Sequence, residues 1–94
     1  DALRIAPDSR TTRNNLALAY AAVGDTTAAY HEFSLAGGAA DASYNLGIAL
    51  TALGRHRDAA RAFDVASTLK PDWQEARDRA RNSHNLAGPS ALVP

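Results

Sequence analysis

The chain is similar to itself when it is displaced by 30 positions, and that self-similarity limits what it can fold into more than any other feature. Asn15, Leu16, Ala19, Ala22, Gly24, Ala29, Phe33 and Ala36 recur as Asn45, Leu46, Ala49, Ala52, Gly54, Ala59, Phe63 and Ala66. Ala17, Leu18 and Tyr20 meet the related Gly47, Ile48 and Leu50. A second spacing of 34 links Ala2 to Ala36 and Gly54 to Gly88, and Pro7 and Pro71 lie 64 apart, the sum of the two. The underlying period is therefore 34 with four residues missing once, between Ala36 and Asn45 around Gly37-Gly38. A loss of four residues removes about one turn of helix and roughly keeps its phase.

Within each unit the apolar positions follow a helical period. Leu16, Ala19, Tyr20 and Val23 form one stripe, and Leu46, Ala49, Leu50 and Leu53 its copy. Gly24 and Gly54 stop these first helices, because glycine supplies the left-handed conformation a helix end often needs. Second helices follow, with stripes at Ala29, Phe33, Ala36 and at Ala59, Ala62, Phe63, Ala66. The spacing predicts helices over 9–23, 26–35, 41–53, 56–69 and 72–87, with the end of an earlier helix before Pro7. Asp8 or Ser9 is the expected cap of the first, and Gly88-Pro89 stops the last. Strong helix formers fill these segments, and none alternates with period 2, so the expected class is all-α.

The landmarks of the second unit resemble the tetratricopeptide repeat, a 34-residue helix-turn-helix. Tyr44-Asn45-Leu46-Gly47 and Leu50 match its first-helix signature, Gly54 its turn, Ala59, Phe63 and Ala66 its second helix, and Pro71 its closing proline. The first unit departs from the pattern, with Ala17 in place of the usual glycine, Arg13 in place of tryptophan and no closing proline. The run Asn14 to Tyr20 and the shortened unit are also similar to repeat proteins of bacterial pilus or secretion assembly. The resemblance implies a right-handed solenoid of antiparallel helix pairs over residues 1–88: the end of a preceding repeat (1–8), a shortened repeat (9–39), a full repeat (40–73) and a C-terminal capping helix (74–88). Residues 89–94 are left out of the fold, since Leu92-Val93-Pro94 also fits the start of a protease-site linker.

In this family the first helices of each pair line a concave groove. That implies a partner-binding surface of Asn14, Leu18 and Ala21 in the first unit and Asp41, Tyr44, Ile48 and Thr51 in the second. Asp78 and Asn82, with Glu75, extend it on the last helix. Tyr44, an amphipathic aromatic on the stripe expected to face solvent, is the most informative member. One branch of the family clamps acidic C-termini, but Leu18 and Glu75 stand where that clamp needs Asn and Lys. Small residues at Ala17, Gly47, Ala29 and Ala59 are expected to let helices approach, with Tyr20, Phe33, Leu50 and Phe63 filling the space between them.

Charge and chemistry narrow the function. Ten basic and ten acidic residues cancel, removing the positive footprint that nucleic acid or an anionic bilayer would require. There is no Cys, which excludes disulfides, thiolate metal sites and cysteine nucleophiles. No apolar run approaches the roughly 20 residues of a membrane-spanning helix. His31, His56 and His84 fall in three different elements without ligand spacing, so no metal, cofactor or acid-base role is assigned. His56 is expected in a solvated turn, and His84 packed and hydrogen-bonded at the inward position held earlier by Tyr20 and Leu50. Trp73, just after Pro71, is expected to staple the last helix to the second unit.

The expected function is a non-enzymatic scaffold binding a protein or peptide. The alternatives are an assembly or self-association module of a larger bacterial complex, forming a homo-oligomer, or the regulatory arm of a longer protein.

Overall fold

The computed structural model describes residues 10–89. The caps expected at Asp8 or Ser9, the helix end before Pro7 and the tail from Ser90 onward lie outside them. The described chain is all-helical: α1 (Arg10–Ala22), α2 (Thr26–Ala36), α3 (Ala39–Ala52), α4 (His56–Leu69) and α5 (Gln74–Ala87), with no strand among the described residues. Each helix packs mainly on its neighbours in sequence, and α1 also leans on α3. None of these helices is long and apolar enough to cross a membrane.

The repeat is visible in the backbone bond by bond. At the end of α1 the Asp25 amide donates to the Tyr20 carbonyl (2.9 Å) and the Gly24 amide to Ala21 (3.0 Å). At the end of α3, 30 residues later, Arg55 donates to Leu50 (2.9 Å) and Gly54 to Thr51 (3.0 Å). This pair of bonds is the Schellman motif, which closes over a left-handed residue. Gly24 and Gly54 supply it at φ +89° and +76°. A Cβ on Gly54 would meet nothing within 4 Å, so only the backbone conformation resists a side chain there. Gly54→Ala is therefore expected to lower stability by about 1 kcal/mol, and Gly54→Asn by less, since Asn enters the left-handed region more readily. Urea unfolding of both variants checks this, and equal losses would show that φ is not the cause.

The second helices of the two units differ in length, 11 residues in α2 against 14 in α4. Gly37 ends α2, its amide bonded to Phe33 (3.0 Å), and Gly38 opens α3, so Gly37-Gly38 forms the turn expected from the spacing. The helix starts are not copies. Asp25 Oδ1 caps α2 by accepting from the Ala28 amide (3.0 Å), while Arg55 opens α4 without a side-chain cap and leaves Asp58 to favour its positive end.

The core is almost entirely alanine. Apart from Phe33, Leu50 and Phe63, every buried hydrophobic residue among those described is Ala. Phe33 packs with Ala17, Ala21, Ala29, Ala42 and Ala49, Phe63 with Leu50, Ala59, Ala62 and Ala80, and Leu46 touches both groups. Ala17, Gly47, Ala29 and Ala59 are all buried. Methyl-sized residues let the helices approach, and one aromatic ring per unit fills the gap.

Two expectations about this packing need correction. On α1 the buried line is Ala17 and Ala21, while Leu16, Ala19 and Val23 are exposed, because among the described residues no helix lies against the face that α3 presents to α2. On α5 the buried residues are Ala76, Ala80 and Ser83, and His84 is exposed. Its counterpart Leu50 is buried because α4 follows and covers it. No described helix follows α5, so His84 only reaches sideways to α4, where Nε2 meets Asp64 Oδ2 at 2.8 Å.

Candidate functional site

The contact between α1 and α3 leaves a hollow of about 210 Å³ at the N-terminal ends of both helices, floored by Ala36 and Gly37 of the shortened turn. Arg10 and Asn14, four residues apart, lie one above the other on α1 and form one wall. Asp41, Tyr44 and Asn45 of α3 form the other, and Trp73, at the cap of α5, closes it.

Tyr44 sits at the junction of hollow and core. Its ring meets Phe63 edge-on (centroids 5.5 Å, 67°) and stacks on Trp73 (4.5 Å, 24°). The Arg79 guanidinium lies over its face at 5.6 Å, and Lys70 Nζ lies 5.1 Å from the Trp73 ring and 3.6 Å from Asp41 Oδ1. Burial pushes the Tyr44 hydroxyl above its ordinary pKa, an effect opposed by the nearby Arg79 and reinforced by Glu75. Stacking, edge contact and two cations hold the aromatic pair in one orientation. Tyr44 is thus half-buried and not an open member of a solvent-facing stripe, because Trp73 folds back over it. Trp73 does join α5 to α3, as a staple should.

The polar groups of the hollow are unequally satisfied. Asp41 is paired with Lys70, but Asn14 Oδ1 is shielded from solvent and accepts no hydrogen bond among the described residues. A buried acceptor without a partner costs about 1–3 kcal/mol, so a ligand N–H reaching it would recover part of that cost. Beside it, Arg10 and Asn45 offer further donors.

Of the residues expected to form the binding surface, the structure brings Asn14, Asp41 and Tyr44 together around the hollow. Leu18 is exposed one turn beyond it. Ile48 packs against the Phe63 group, and the Thr51 hydroxyl donates to the Gly47 carbonyl (2.8 Å), leaving both half-buried. Asp78 accepts from Gln74 Nε2 (2.8 Å) and pairs with Arg81, and Glu75 pairs with Arg79; with exposed Asn82 they lie on α5 outside the hollow. Ala21 is a correction: it is fully buried in the cluster it forms with Ala29 and Phe33 of α2 and Ala49 of α3, so it offers no surface. Arg10, Asn45 and Trp73 were not expected in the site. Arg10 was legible, one turn before Asn14 on the same stripe, whereas the stack that brings in Trp73 was not.

On the opposite side, α2 and α4 flank a second hollow of about 420 Å³ over α3, bordered by Tyr30, Leu46, Leu50 and Val65 and edged by Asp58 and Arg61. It is more apolar, and among the described residues none of its lining side chains holds a buried polar atom without a partner. His56 is half-buried as the first residue of α4, with Nδ1 shielded and without a partner among the described residues, and His31 is exposed. Among the described residues no group of three or more His, Asp or Glu is placed to hold a metal. Comparison of the chain with family models, with curated proteins and with solved structures gives no match in any of the three.

Proposed function

We propose that this chain is a protein-binding scaffold of the tetratricopeptide type, a solenoid of antiparallel helix pairs that takes an extended peptide or partner helix along the α1–α3 side. The duplicated Schellman turns and the matched pairs Ala29 with Ala59 and Phe33 with Phe63 support the repeat reading. The observation that carries the binding reading is Asn14 Oδ1 on the wall of the hollow, without a hydrogen-bond partner among the described residues and flanked by Arg10, Asn45 and the fixed Trp73 edge. An extended peptide supplies the backbone N–H that such an acceptor lacks, and carbonyls for the adjacent donors.

Asn14 is a cleaner probe of this than Tyr44, whose loss would also remove packing. Asn14→Leu keeps the size and removes this shielded oxygen, so the melting temperature is expected to stay level or rise. Peptides selected from a displayed random library on the parent chain should bind this variant roughly tenfold more weakly. Selected peptides that bind Asn14→Leu and Arg10→Ala as tightly as the parent would refute this assignment.

A further inference from the structure

The hollow between α1 and α3 is small, and its lining carries both charges and two carboxamides. At about 210 Å³ it falls below the range of sites that enclose a cofactor or metabolite and has room for one side chain. Asn14 on α1 and Asn45 on α3 border it, both half-buried. Arg10 stands on the first wall and Asp41 on the second, where Lys70 Nζ approaches Asp41 Oδ1 at 3.6 Å. Asn14 holds the place that Tyr44 has 30 residues later, and a carboxamide there instead of a ring leaves space and lines it with polar atoms.

Each class of entering side chain meets this lining differently. A carboxylate would pair with Arg10 but face two further acceptors, the Asp41 carboxylate and Asn14 Oδ1. An ammonium or guanidinium would suit those acceptors, but Arg10 and Lys70 already bring two cations to the site. An apolar side chain would leave Asn14 Oδ1 without a partner among the described residues. A primary carboxamide brings a donor for Asn14 Oδ1, an acceptor for the Asn45 amide or Arg10, and no charge. It also offers both groups along one edge, whereas a trans backbone amide points its N–H and its C=O in opposite directions.

We propose that the hollow takes a glutamine or asparagine side chain of the bound peptide, its carboxamide paired with that of Asn14 and held further by Asn45 or Arg10. This rests on the reading of the α1–α3 side as the peptide surface and adds the residue type that the surface selects. The pairing survives rotation of either carboxamide, since each carries a donor and an acceptor. Backbone contacts along the same side supply affinity without regard to sequence, and the side chain in the hollow supplies the preference.

Selection of displayed random peptides on the 94-residue chain tests it. The enriched sequences are expected to share Gln or Asn at one position. One such peptide, free of tryptophan, is then synthesised with that residue kept, changed to the matching carboxylate (Glu or Asp), and changed to Met or Leu. Binding is read from the fluorescence of Trp73, the one tryptophan of the chain. Both changes should weaken binding to the parent roughly tenfold. On Asn14→Leu the kept and the apolar peptides should bind within about twofold of each other, because the partner of the carboxamide is gone. Asn14→Asp, an acceptor only, should turn the preference towards a Lys version of the same peptide, with the far-ultraviolet circular dichroism unchanged. Peptides that shift the Asn14 and Trp73 resonances yet tolerate every change, a shared position held by another residue class, or an equal loss on the parent and Asn14→Leu would overturn the proposal and leave the peptide surface standing. A selection without binders, or binders that shift Tyr30 and Val65 instead, would remove that surface and the proposal with it.

Discussion

Phe63→Ala is expected to cost about 3–5 kcal/mol and to leave much of the chain unfolded at room temperature. Phe63 is 1% exposed and, among the described residues, is one of three large hydrophobic side chains in a core whose other buried hydrophobic residues are alanine. Alanine positions bring helices close but each removes little apolar surface from water, whereas a fully buried Phe contributes about 1.5–3 kcal/mol of transfer free energy. The cavity left by its ring adds to that loss, because three of the residues that pack with it, Ala59, Ala62 and Ala80, are too short to fill it. The ring also supports Tyr44 edge-on, and through Tyr44 the Trp73 stack that anchors α5. Unfolding should therefore spread to the hollow. Phe63→Leu, which refills part of the space, should lose less than half as much. Urea unfolding followed by circular dichroism measures both, and a Phe63→Ala protein as stable as Phe63→Leu would show that the rings do not hold the stack together.

The second large effect comes from adding atoms. A Cβ on Gly47 would stand 2.6 Å from Phe63 Cε1, 2.7 Å from Cζ and 2.8 Å from Cδ1, well inside contact distance of a ring with nowhere to go. Gly47→Val is expected to cost about 3 kcal/mol, since overpacking forces either the α3 and α4 backbones apart or the ring off its rotamer. Ala17, the counterpart of Gly47 in the first unit, carries a Cβ in its own packed setting, so the requirement for glycine is specific to the second unit. A double-mutant cycle separates this from a helix-propensity effect. Gly47→Ala combined with Phe63→Leu should be more stable than the sum of the single losses predicts, by about 1 kcal/mol. Strict additivity would show that Gly47 and Phe63 do not compete for the same space.

These packing relations explain which features were legible in the sequence. The helix pattern was, because local signals set it: Gly24 and Gly54 end helices by backbone conformation, and the loss of four residues near Gly37-Gly38 reappears as a shorter α2. Which side of each helix is buried was less legible, because neighbours decide it. Leu16 and Val23 have the composition of a core stripe yet stand exposed, and His84 occupies an inward position in the alignment but faces solvent, each because no described helix covers it. Ala21 shows the opposite case, a groove position closed by packing with Ala29 and Phe33 of α2 and Ala49 of α3. The hollow needed four separate elements, α1, the end of α2, α3 and the cap of α5. Asn14, Asp41 and Tyr44 were expected from the family resemblance, but Trp73 enters only because it folds back onto Tyr44, and periodicity says nothing about a contact between one helix's cap and another helix's face.

The claim that the α1–α3 side is the binding surface is tested most directly by mapping where a selected peptide sits. Amide and indole resonances of the 94-residue chain would be followed by nuclear magnetic resonance as a library-selected peptide is titrated in. The account predicts the largest shifts at the Asn14 and Asn45 side-chain amides and the Trp73 indole N–H, with little change at Tyr30 and Val65 across the molecule. Shifts centred on Tyr30, Leu46 and Val65, with Asn14 and Trp73 unmoved, would contradict it and place binding on the opposite face.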